Sequence, residues 1–368
     1  MAKVIVRTSD FIKDIKPYVP GKPIEELQRE LGIRDIVKLA SNENPLGPSK
    51  KALSEIRKGL KGLHRYPDGS CYYLKKELSK RLGVSPEELI IGNGSNELLD
   101  IVAKTLLMPG DNAIMARPSF VVYSIATRIA GASPVEIPLT EDMRHDLKAM
   151  AGAITESTKI VFIANPNNPT GTIVRKEEFD LFMKKIPGHV LVVMDEAYYE
   201  YVTDKEYPQT IEYFRRGYPI LILRTFSKIY GLAGLRIGYG IGPRELLKEM
   251  NKVREPFNVN SLAQTAAIGA LKDQRHVKMS KELNRREKVF LYNELKKLAI
   301  DFVPTEANFI FMRFPFEAEE LFREMLHKGI IIRPVGKREI RVTIGTRKEN
   351  KRFIEALKES LKRRNLWT

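Results

Sequence analysis

The chain has 368 residues, of which 43% are hydrophobic and 29% charged, and its formal net charge is +16. This composition is typical of a folded globular protein long enough for one large and one smaller domain, and it excludes a disordered or fibrous chain. No stretch approaches the roughly 18 apolar residues of a membrane span, and the first residues lack the apolar core of a signal peptide, so we expect no membrane association.

The single cysteine indicates the cellular compartment of the protein, and the distribution of charge indicates its binding partners. Cys71 is the only cysteine, which excludes an internal disulfide framework and favours a reducing, cytoplasmic environment. The basic residues are interleaved with 46 acidic ones. Their densest run, residues 346–364, has apolar residues at helical spacing and is more simply a solvated helix face. We therefore expect the positive field to attract small anions, with no nucleic-acid partner.

The N-terminal part combines turn formers with one glycine-rich break. Residues 1–30 are rich in proline and end in an amphipathic stretch, which predicts an extended arm and a short helix. Residues 41–48 are dense in Asn, Pro and Gly and predict a tight loop. A strand then breaks at Gly92-Asn93-Gly94-Ser95 before an apolar helix. This order brings free N–H groups and the positive end of a helix to one point, which is typical of an anion site.

Residues 36–260 contain apolar strands and helices, which alternate from residue 112 onward. Strands are predicted over 36–40, 89–91, 112–116, 134–137, 159–164, 190–194, 220–223 and 235–240, and helices over 49–60, 71–82, 96–108, 120–130, 147–153 and 177–185. The alternation predicts an α/β fold with a mainly parallel central sheet and helices on both faces. The sites of such folds lie beyond the C-terminal ends of the strands.

From about residue 261 the pattern changes to longer charged helices and short strands, which predicts a smaller α+β domain. Helices are predicted over 262–271, 278–298, 318–328 and the last residues, and strands over 309–313, 330–333 and 339–344. The predicted domains are an N-terminal arm over 1–30, a small α+β domain made of 31–48 and 261–368, and a large domain over 49–260.

Polar side chains follow three apolar strands at their C-terminal ends. The strands and the residues after them are 159–164 with Asn168, 190–194 with Asp195, and 220–223 with Thr225, Ser227 and Lys228. A carboxylate directly after a buried strand is costly unless it finds a cation or a donor. A lysine shielded from water loses its proton readily and becomes a nucleophile. Alone, Asp195 would equally suit a helix N-cap and Lys228 a solvated loop, but their coincidence at one sheet edge favours a site.

The segment 225–236, TFSKIYGLAGLR, surrounds this lysine with groups that suit an anion. Thr225 and Ser227 offer hydroxyls, and Arg236 adds a fixed charge with a forked donor geometry. Two hydroxyls and a guanidinium around a lone amine predict a phosphate site beside that amine.

Three motifs carry a family resemblance. Asn-Pro-Asn-Asn-Pro-Thr-Gly (165–171), Asp-Glu-Ala-Tyr (195–198) and Ser-Lys-x7-Arg (227–236) resemble the fold type I pyridoxal-phosphate-dependent aminotransferases of class II. Pro-Tyr-Val-Pro-Gly-Lys-Pro (17–23), residues 41–49 and Arg65-Tyr66-Pro67-Asp68 narrow the resemblance to the histidinol-phosphate aminotransferases. The likeness covers essentially the whole chain.

The resemblance implies an enzyme of histidine biosynthesis. It would transfer an amino group reversibly between L-histidinol phosphate and 2-oxoglutarate, giving imidazole acetol phosphate and L-glutamate through a pyridoxal 5'-phosphate internal aldimine. The implied assembly is a homodimer with shared active sites.

Because a fold does not determine the reaction that it supports, two alternative functions stay open: a broad-specificity aromatic aminotransferase and a threonine-phosphate decarboxylase of the same fold. An effector-sensing domain of a transcription regulator would need a DNA-binding unit that residues 1–30 are too short to form.

The resemblance also assigns roles to the cofactor residues. Lys228 would bind the cofactor covalently and act as general base, and Asp195 would keep the pyridine nitrogen protonated. Asn168 and Tyr198 would hydrogen-bond the ring hydroxyl oxygen. Phe120, where some relatives carry Tyr, would stack on the ring. The further implied cofactor contacts are Gly94, Ser95, Asn96, Ala197, Thr225, Ser227, Arg236 and, reaching the phosphate from a second subunit, Tyr66.

Substrate selection is expected to involve Arg333 and Arg341, which lie in predicted strands without acidic neighbours in sequence. A pair of guanidinium forks suits a carboxylate or a phosphate monoester equally well, although Arg333 before Pro334 would also suit a surface position. The resemblance adds Tyr18 in the arm, which would close over the substrate from the partner subunit but would equally suit a core or dimer contact, and Asn42 in the 41–48 loop. The five histidines show no metal-ligand spacing, so we expect no metal site.

Overall fold

The computed structural model describes residues 8–13 and 15–366. Within them the strands are β1 (Val37–Lys38), β2 (Leu89–Gly92), β3 (Asn112–Arg117), β4 (Ser133–Pro138), β5 (Thr158–Ala164), β6 (Leu191–Asp195), β7 (Ile220–Thr225), β8 (Gly238–Ile241), β9 (Asp301–Val303), β10 (Phe309–Arg313), β11 (Ile330–Ile331), β12 (Arg333–Pro334) and β13 (Glu339–Thr343). The helices are α1 (Asp10–Lys13), α2 (Ile24–Leu31), α3 (Lys50–Gly59), α4 (Tyr72–Leu82), α5 (Ser95–Leu106), α6 (Val122–Ile129), α7 (Leu147–Gly152), α8 (Lys176–Met183), α9 (Thr210–Arg215), α10 (Arg244–Val253), α11 (Ser261–Leu271), α12 (Gln274–Lys297), α13 (Ala318–His327) and α14 (Arg347–Arg363).

A seven-stranded sheet in the order β2-β8-β7-β6-β5-β3-β4 forms the centre of the molecule. Strands β3 to β7 pair in parallel, and β8 lies antiparallel to both of its neighbours. The α/β fold with a mainly parallel sheet is therefore confirmed. Strands β5, β6 and β7 are adjacent, so that their C-terminal ends meet at one edge of the sheet.

Both faces of this sheet are covered. Along β6, Val192 and Met194 enter one hydrophobic core, whereas Leu191 and Val193 enter the core on the opposite face. Because successive side chains of a strand point to opposite faces, a strand covered on both sides must be apolar throughout. This requirement explains why β6 has no polar residue before Asp195 at its last position.

A second, smaller sheet has its own core. Strands β12, β13, β10 and β9 form an antiparallel sheet, and β1 pairs separately with β11 in parallel. The core beside this sheet is filled from α12, α13 and α14, for example by Leu295, Leu321 and Leu357. Helix α11, in contrast, packs on α3 within the core of the large sheet. The exact division into domains stays a prediction.

The structure differs from the predicted elements in places. The predicted strand 330–333 is split, because β11 and β12 on either side of Ile332 join different sheets. The predicted strand 235–240 begins only at Gly238, since Arg236 has a φ of +56° that no strand accommodates. Elements α1, α9, α10 and β9 were not predicted. Among the described residues, no helix is long and apolar enough to cross a membrane.

Candidate active site

A cavity of about 750 Å³ opens at the C-terminal ends of β5, β6 and β7 and extends to β12 and β13. It brings together fifteen of the residues predicted from the sequence: Tyr18, Asn42, Ser95, Asn96, Phe120, Asn168, Asp195, Ala197, Tyr198, Thr225, Ser227, Lys228, Arg236, Arg333 and Arg341. Residues as distant in sequence as Asn42 and Arg341 thus line one space. Of the predicted site residues, Gly94 and Tyr66 do not line it.

Gly94 lies between Asn93 and Ser95, which both line the cavity. Its φ is +80°, and a Cβ atom there would lie 2.5 Å from Nη2 of Arg236. Gly238 is similarly constrained, because its Cβ would lie 2.4 Å from the backbone N of Ser95. Glycine at both positions therefore lets Arg236 and the first residue of α5 approach each other.

Tyr66 is not brought to the cavity within one chain. Its side chain is 82% exposed and stacks on Phe257, with ring centroids 4.7 Å apart. The expected contact of Tyr66 with a phosphate in a second subunit stays a prediction.

Lys228 follows β7 and turns its amine into the cavity. The Nζ atom donates to the carbonyl oxygen of Ser41 at 3.2 Å and lies 5.6 Å from the ring centroid of Tyr198. Burial, together with the charge of Arg341, lowers the pKa of Lys228 to about 8. The neutral, nucleophilic amine is therefore available near neutral pH.

Asp195 ends β6, and both of its carboxylate oxygens accept hydrogen bonds. Oδ1 accepts from the backbone N–H of Ala197 at 3.2 Å, and Oδ2 accepts from the Tyr123 hydroxyl at 2.9 Å. Burial raises the pKa of Asp195 to about 6, so the carboxylate is still ionised at pH 7. Tyr123 is a residue that sequence reasoning missed.

Asn168 and Tyr198 each have one polar atom engaged by a neighbour. Arg341 donates from Nη1 to Oδ1 of Asn168 at 2.6 Å, and Asn42 donates from Nδ2 to the Tyr198 hydroxyl oxygen at 2.9 Å. Burial raises the pKa of Tyr198, which keeps its proton in place. The Asn168 amide nitrogen and the Tyr198 hydroxyl proton can therefore both be donated to an oxygen in the cavity.

The residues of the predicted phosphate site lie around the start of α5. Arg236 donates from Nη1 to Oγ of Ser227 at 3.3 Å, and the backbone N–H of Ser227 donates to Oγ1 of Thr225 at 3.1 Å. Ser95 is the first residue of α5, and its N-cap Gly94 has no side chain to satisfy the helix N-terminus. Helix N–H groups, hydroxyls and a guanidinium lie together here, which suits a dianion.

Arg333 and Arg341 are direct partners across the β12–β13 pair. Arg333 donates from Nη2 to the carbonyl oxygen of Val19 at 2.7 Å, and Arg341 donates from Nη2 to that of Ala40 at 2.7 Å. The Nε atom of Arg341 is buried and has no hydrogen-bond partner among the described residues. Two like charges side by side, one with an unused donor, fit an anionic ligand.

The residues present fit the cofactor that the resemblance implies. The amine of Lys228 has a lowered pKa, the carboxylate of Asp195 in the same cavity is buried and ionised, and Gly94 and Gly238 let Arg236 and the start of α5 lie close together. Each group matches one chemical feature of pyridoxal 5'-phosphate: its aldehyde, its ring nitrogen and its phosphate.

Comparison with known proteins agrees with this geometry. The sequence model of the family described as aminotransferase class I and II matches residues 34–357. A histidinol-phosphate aminotransferase of Moorella thermoacetica is 52% identical, over 97% of this chain and 94% of that protein. A histidinol-phosphate aminotransferase of Caldicellulosiruptor saccharolyticus is 47% identical, over 96% of this chain and 99% of that protein. A crystal structure of histidinol-phosphate aminotransferase from Sinorhizobium meliloti in complex with pyridoxal-5'-phosphate superposes with a TM-score of 0.90 and 27% identity, covering 98% of this chain and 99% of that one.

Proposed function

Because the chain belongs to the aminotransferase class I and II family, we propose that it is a pyridoxal-phosphate-dependent aminotransferase of histidine biosynthesis. It transfers an amino group reversibly between L-histidinol phosphate and 2-oxoglutarate, as the names of its relatives at 52% and 47% identity support. The observation that carries the proposal is the placement of Lys228 and Asp195 at the ends of adjacent strands in one cavity.

The cofactor and the side chains of Lys228 and Asp195 have separate roles in the reaction. When bound, pyridoxal 5'-phosphate supplies a ring that withdraws the electron pair left when the substrate carbon loses a proton. Lys228 holds the cofactor and moves that proton through Nζ, which is available as a base because its pKa is about 8. The Asp195 carboxylate would keep the ring nitrogen of the cofactor protonated. Because Asp195 is buried, this electrostatic interaction is stronger than it would be in water.

Neighbouring residues orient the reacting groups. Asn168 and Tyr198 donate hydrogen bonds into the cavity, because their acceptor atoms are already occupied by Arg341 and Asn42. Ser95, Ser227 and Arg236 bind the phosphate of the cofactor. The remaining cofactor contacts in this proposal are Asn96, Phe120, Ala197 and Thr225, while Gly94, which does not line the cavity, leaves room for the Arg236 side chain.

Arg341 and Arg333 bind the anionic end of the substrate. Both lie on the side of the cavity formed by β12 and β13, and Nε of Arg341 has no partner among the described residues. A guanidinium with free donors binds a phosphate monoester or a carboxylate, so one site serves histidinol phosphate and the dicarboxylate co-substrate in turn. Tyr18 and Asn42 line the same cavity within one chain.

The proposed assembly is a homodimer with shared active sites in the cytoplasm. Tyr66 is 82% exposed and stacks on Phe257, which is 47% exposed. Uncovered aromatic surface of this kind supports a subunit interface, and Tyr66 would reach across it to the phosphate. The single cysteine supports a reducing compartment.

The proposal is tested by comparing amino donors. With histidinol phosphate, phenylalanine and phosphothreonine offered separately to the cofactor-loaded protein, kcat/KM should be highest for histidinol phosphate. A wide advantage for phenylalanine would instead identify an aromatic aminotransferase. Release of CO2 from phosphothreonine would identify a decarboxylase.

A further inference from the structure

Tyr123 is a buried tyrosine whose hydroxyl contacts Asp195 in the cavity. Its side chain is fully buried, and its hydroxyl donates to Oδ2 of Asp195 at 2.9 Å. No motif of the sequence assigns a role to Tyr123, because it lies inside helix α6 among apolar residues.

The ring of Tyr123 is held on two sides. It stacks on Phe162 of β5 with centroids 4.9 Å apart and an angle of 4° between the planes. It meets Phe120 edge-on at 5.7 Å. A ring packed in this way cannot swing its hydroxyl to another acceptor, so the hydrogen bond to Asp195 is fixed by packing.

The second oxygen of Asp195 is fixed as well, since Oδ1 accepts from the backbone N–H of Ala197. One donor on each oxygen sets the plane of the carboxylate. We propose that Tyr123 is a positioning residue for the reaction: its hydroxyl keeps Asp195 ionised and oriented so that the carboxylate holds the proton of the cofactor ring nitrogen. This inference rests on the proposed function, because it concerns how Asp195 meets the cofactor.

The electrostatic surroundings support this role. Burial raises the pKa of Asp195, whereas the hydrogen bond from Tyr123 lowers it. The other charged groups that face Asp195 are Glu196, which raises its pKa, and Lys228, which lowers it. Tyr198 is also close, and its own pKa is raised by burial and by the charge of Asp195. Without the Tyr123 hydroxyl, the carboxyl would take up a proton at a higher pH.

Tyr123→Phe removes the hydroxyl and retains the ring between Phe162 and Phe120. The measurement is the dissociation constant of pyridoxal 5'-phosphate from the cofactor-free protein, titrated spectroscopically from pH 5 to 9. We expect binding to weaken roughly ten-fold, the size of one hydrogen bond to a charged group. We also expect the loss of affinity on the acid side to begin at a higher pH than in the unmodified protein.

Tyr213→Phe is the matched control. Tyr213 is also buried, and its hydroxyl donates to Oδ1 of Asp180 at 2.6 Å, but it does not line the cavity. The Tyr213→Phe variant therefore also loses a tyrosine–aspartate hydrogen bond, with a similar expected cost in stability. It should nevertheless bind the cofactor as the unmodified protein does.

A double-mutant cycle separates positioning from general packing. In an Asp195→Asn background, Tyr123→Phe should cause no further change in cofactor affinity, because its effect passes through the carboxylate. An equal loss in both backgrounds, or an affinity and pH profile equal to those of Tyr213→Phe, would overturn the inference while leaving the proposed function intact. Failure of the unmodified protein to bind the cofactor at all would overturn both.

Discussion

Arg341, on β13 of the small sheet, donates from Nη1 to Oδ1 of Asn168 at 2.6 Å, in the loop that follows β5 of the large sheet. This contact joins a residue proposed to bind substrate to one proposed to bind cofactor. A ligand that binds the Arg341 guanidinium would therefore affect the Asn168 amide, which is proposed to bind the cofactor.

Arg341→Lys should lower kcat/KM for histidinol phosphate by on the order of a hundred-fold, because the ammonium cannot replace the forked donor that binds an anion and Asn168 together. Steady-state kinetics at saturating co-substrate would measure this change in kcat/KM. Arg313→Lys is the control, since Arg313 lies in the same sheet but pairs with Asp301 at the surface. Equal kinetics of the two variants would contradict the assignment.

Lys228→Ala should abolish both the visible absorbance of covalently bound cofactor and transamination, since its amine is the proposed point of attachment. Lys288→Ala is the matched control. Lys288 is also buried, with its pKa lowered by burial, but its Nζ donates to the carbonyl oxygen of Thr305 outside the cavity. A colourless Lys288 variant, or a coloured and active Lys228 variant, would count against the account.

The rate at which the cofactor attaches to the cofactor-free protein should rise with pH through a midpoint near 8. Only the neutral amine attacks an aldehyde, and the pKa of Lys228 is lowered to about 8 by burial and by Arg341, so the reactive form appears as the pH rises through that value. An unperturbed lysine would give a midpoint at about 10.4. Stopped-flow absorbance would measure the rate.

Arg341→Gln tests whether the charge of Arg341 contributes to this pH dependence. Removing the neighbouring positive charge should move the midpoint upward, toward the ordinary value of a lysine. A midpoint that stays in place, or moves down, would show that another amine is being titrated.

Arg224→Ala should destabilise the fold by about 3–5 kcal/mol, because it leaves a buried charge unpaired. Arg224 and Glu196 are both buried and pair at 2.8 Å, and Glu196 follows Asp195 in the chain. Arg175→Ala, which breaks an exposed pair with Asp204, should cost less than about 1 kcal/mol. Denaturant unfolding would measure both, and a similar cost for the two would contradict a structural role of the buried pair.

Mixing a Tyr66→Ala variant with a Lys228→Ala variant should restore activity if subunits exchange. In a mixed dimer, one site would receive an intact Tyr66 from one chain and an intact Lys228 from the other. Activity that stays at the level of the separate variants, in a mixture whose mixed dimers are demonstrated, would contradict shared sites.

The large sheet and the polar residues at its edge, such as Asp195 and Lys228, were predictable from local patterns, whereas residues such as Phe120 were implied only by the resemblance. Asp195 and Lys228 each follow a run of apolar residues, and the parallel arrangement then requires that the ends of β6 and β7 meet. The split at Ile332 was not predictable in this way, because Ile330–Arg333 is a continuous strand pattern and only pairing with β1 and β13 divides it.

Contacts set by tertiary packing were beyond the sequence. From the sequence, Tyr123 is indistinguishable from an ordinary core residue of a helix. Its hydrogen bond to Asp195 depends on how α6 packs on β5 and β6. In the same way, the contact of Arg333 with the carbonyl oxygen of Val19 joins residues 314 positions apart. Sequence patterns identify the groups that carry the chemistry better than those that hold them in place.

The most direct test of the account is to identify the residue that holds the cofactor. The protein is incubated with pyridoxal 5'-phosphate, reduced with borohydride to make the linkage permanent, digested and analysed by mass spectrometry. The account predicts a phosphopyridoxyl group on Lys228, with no such peptide from Lys228→Ala. Modification of a different lysine, or none at Lys228 under conditions where the protein transaminates, would contradict it.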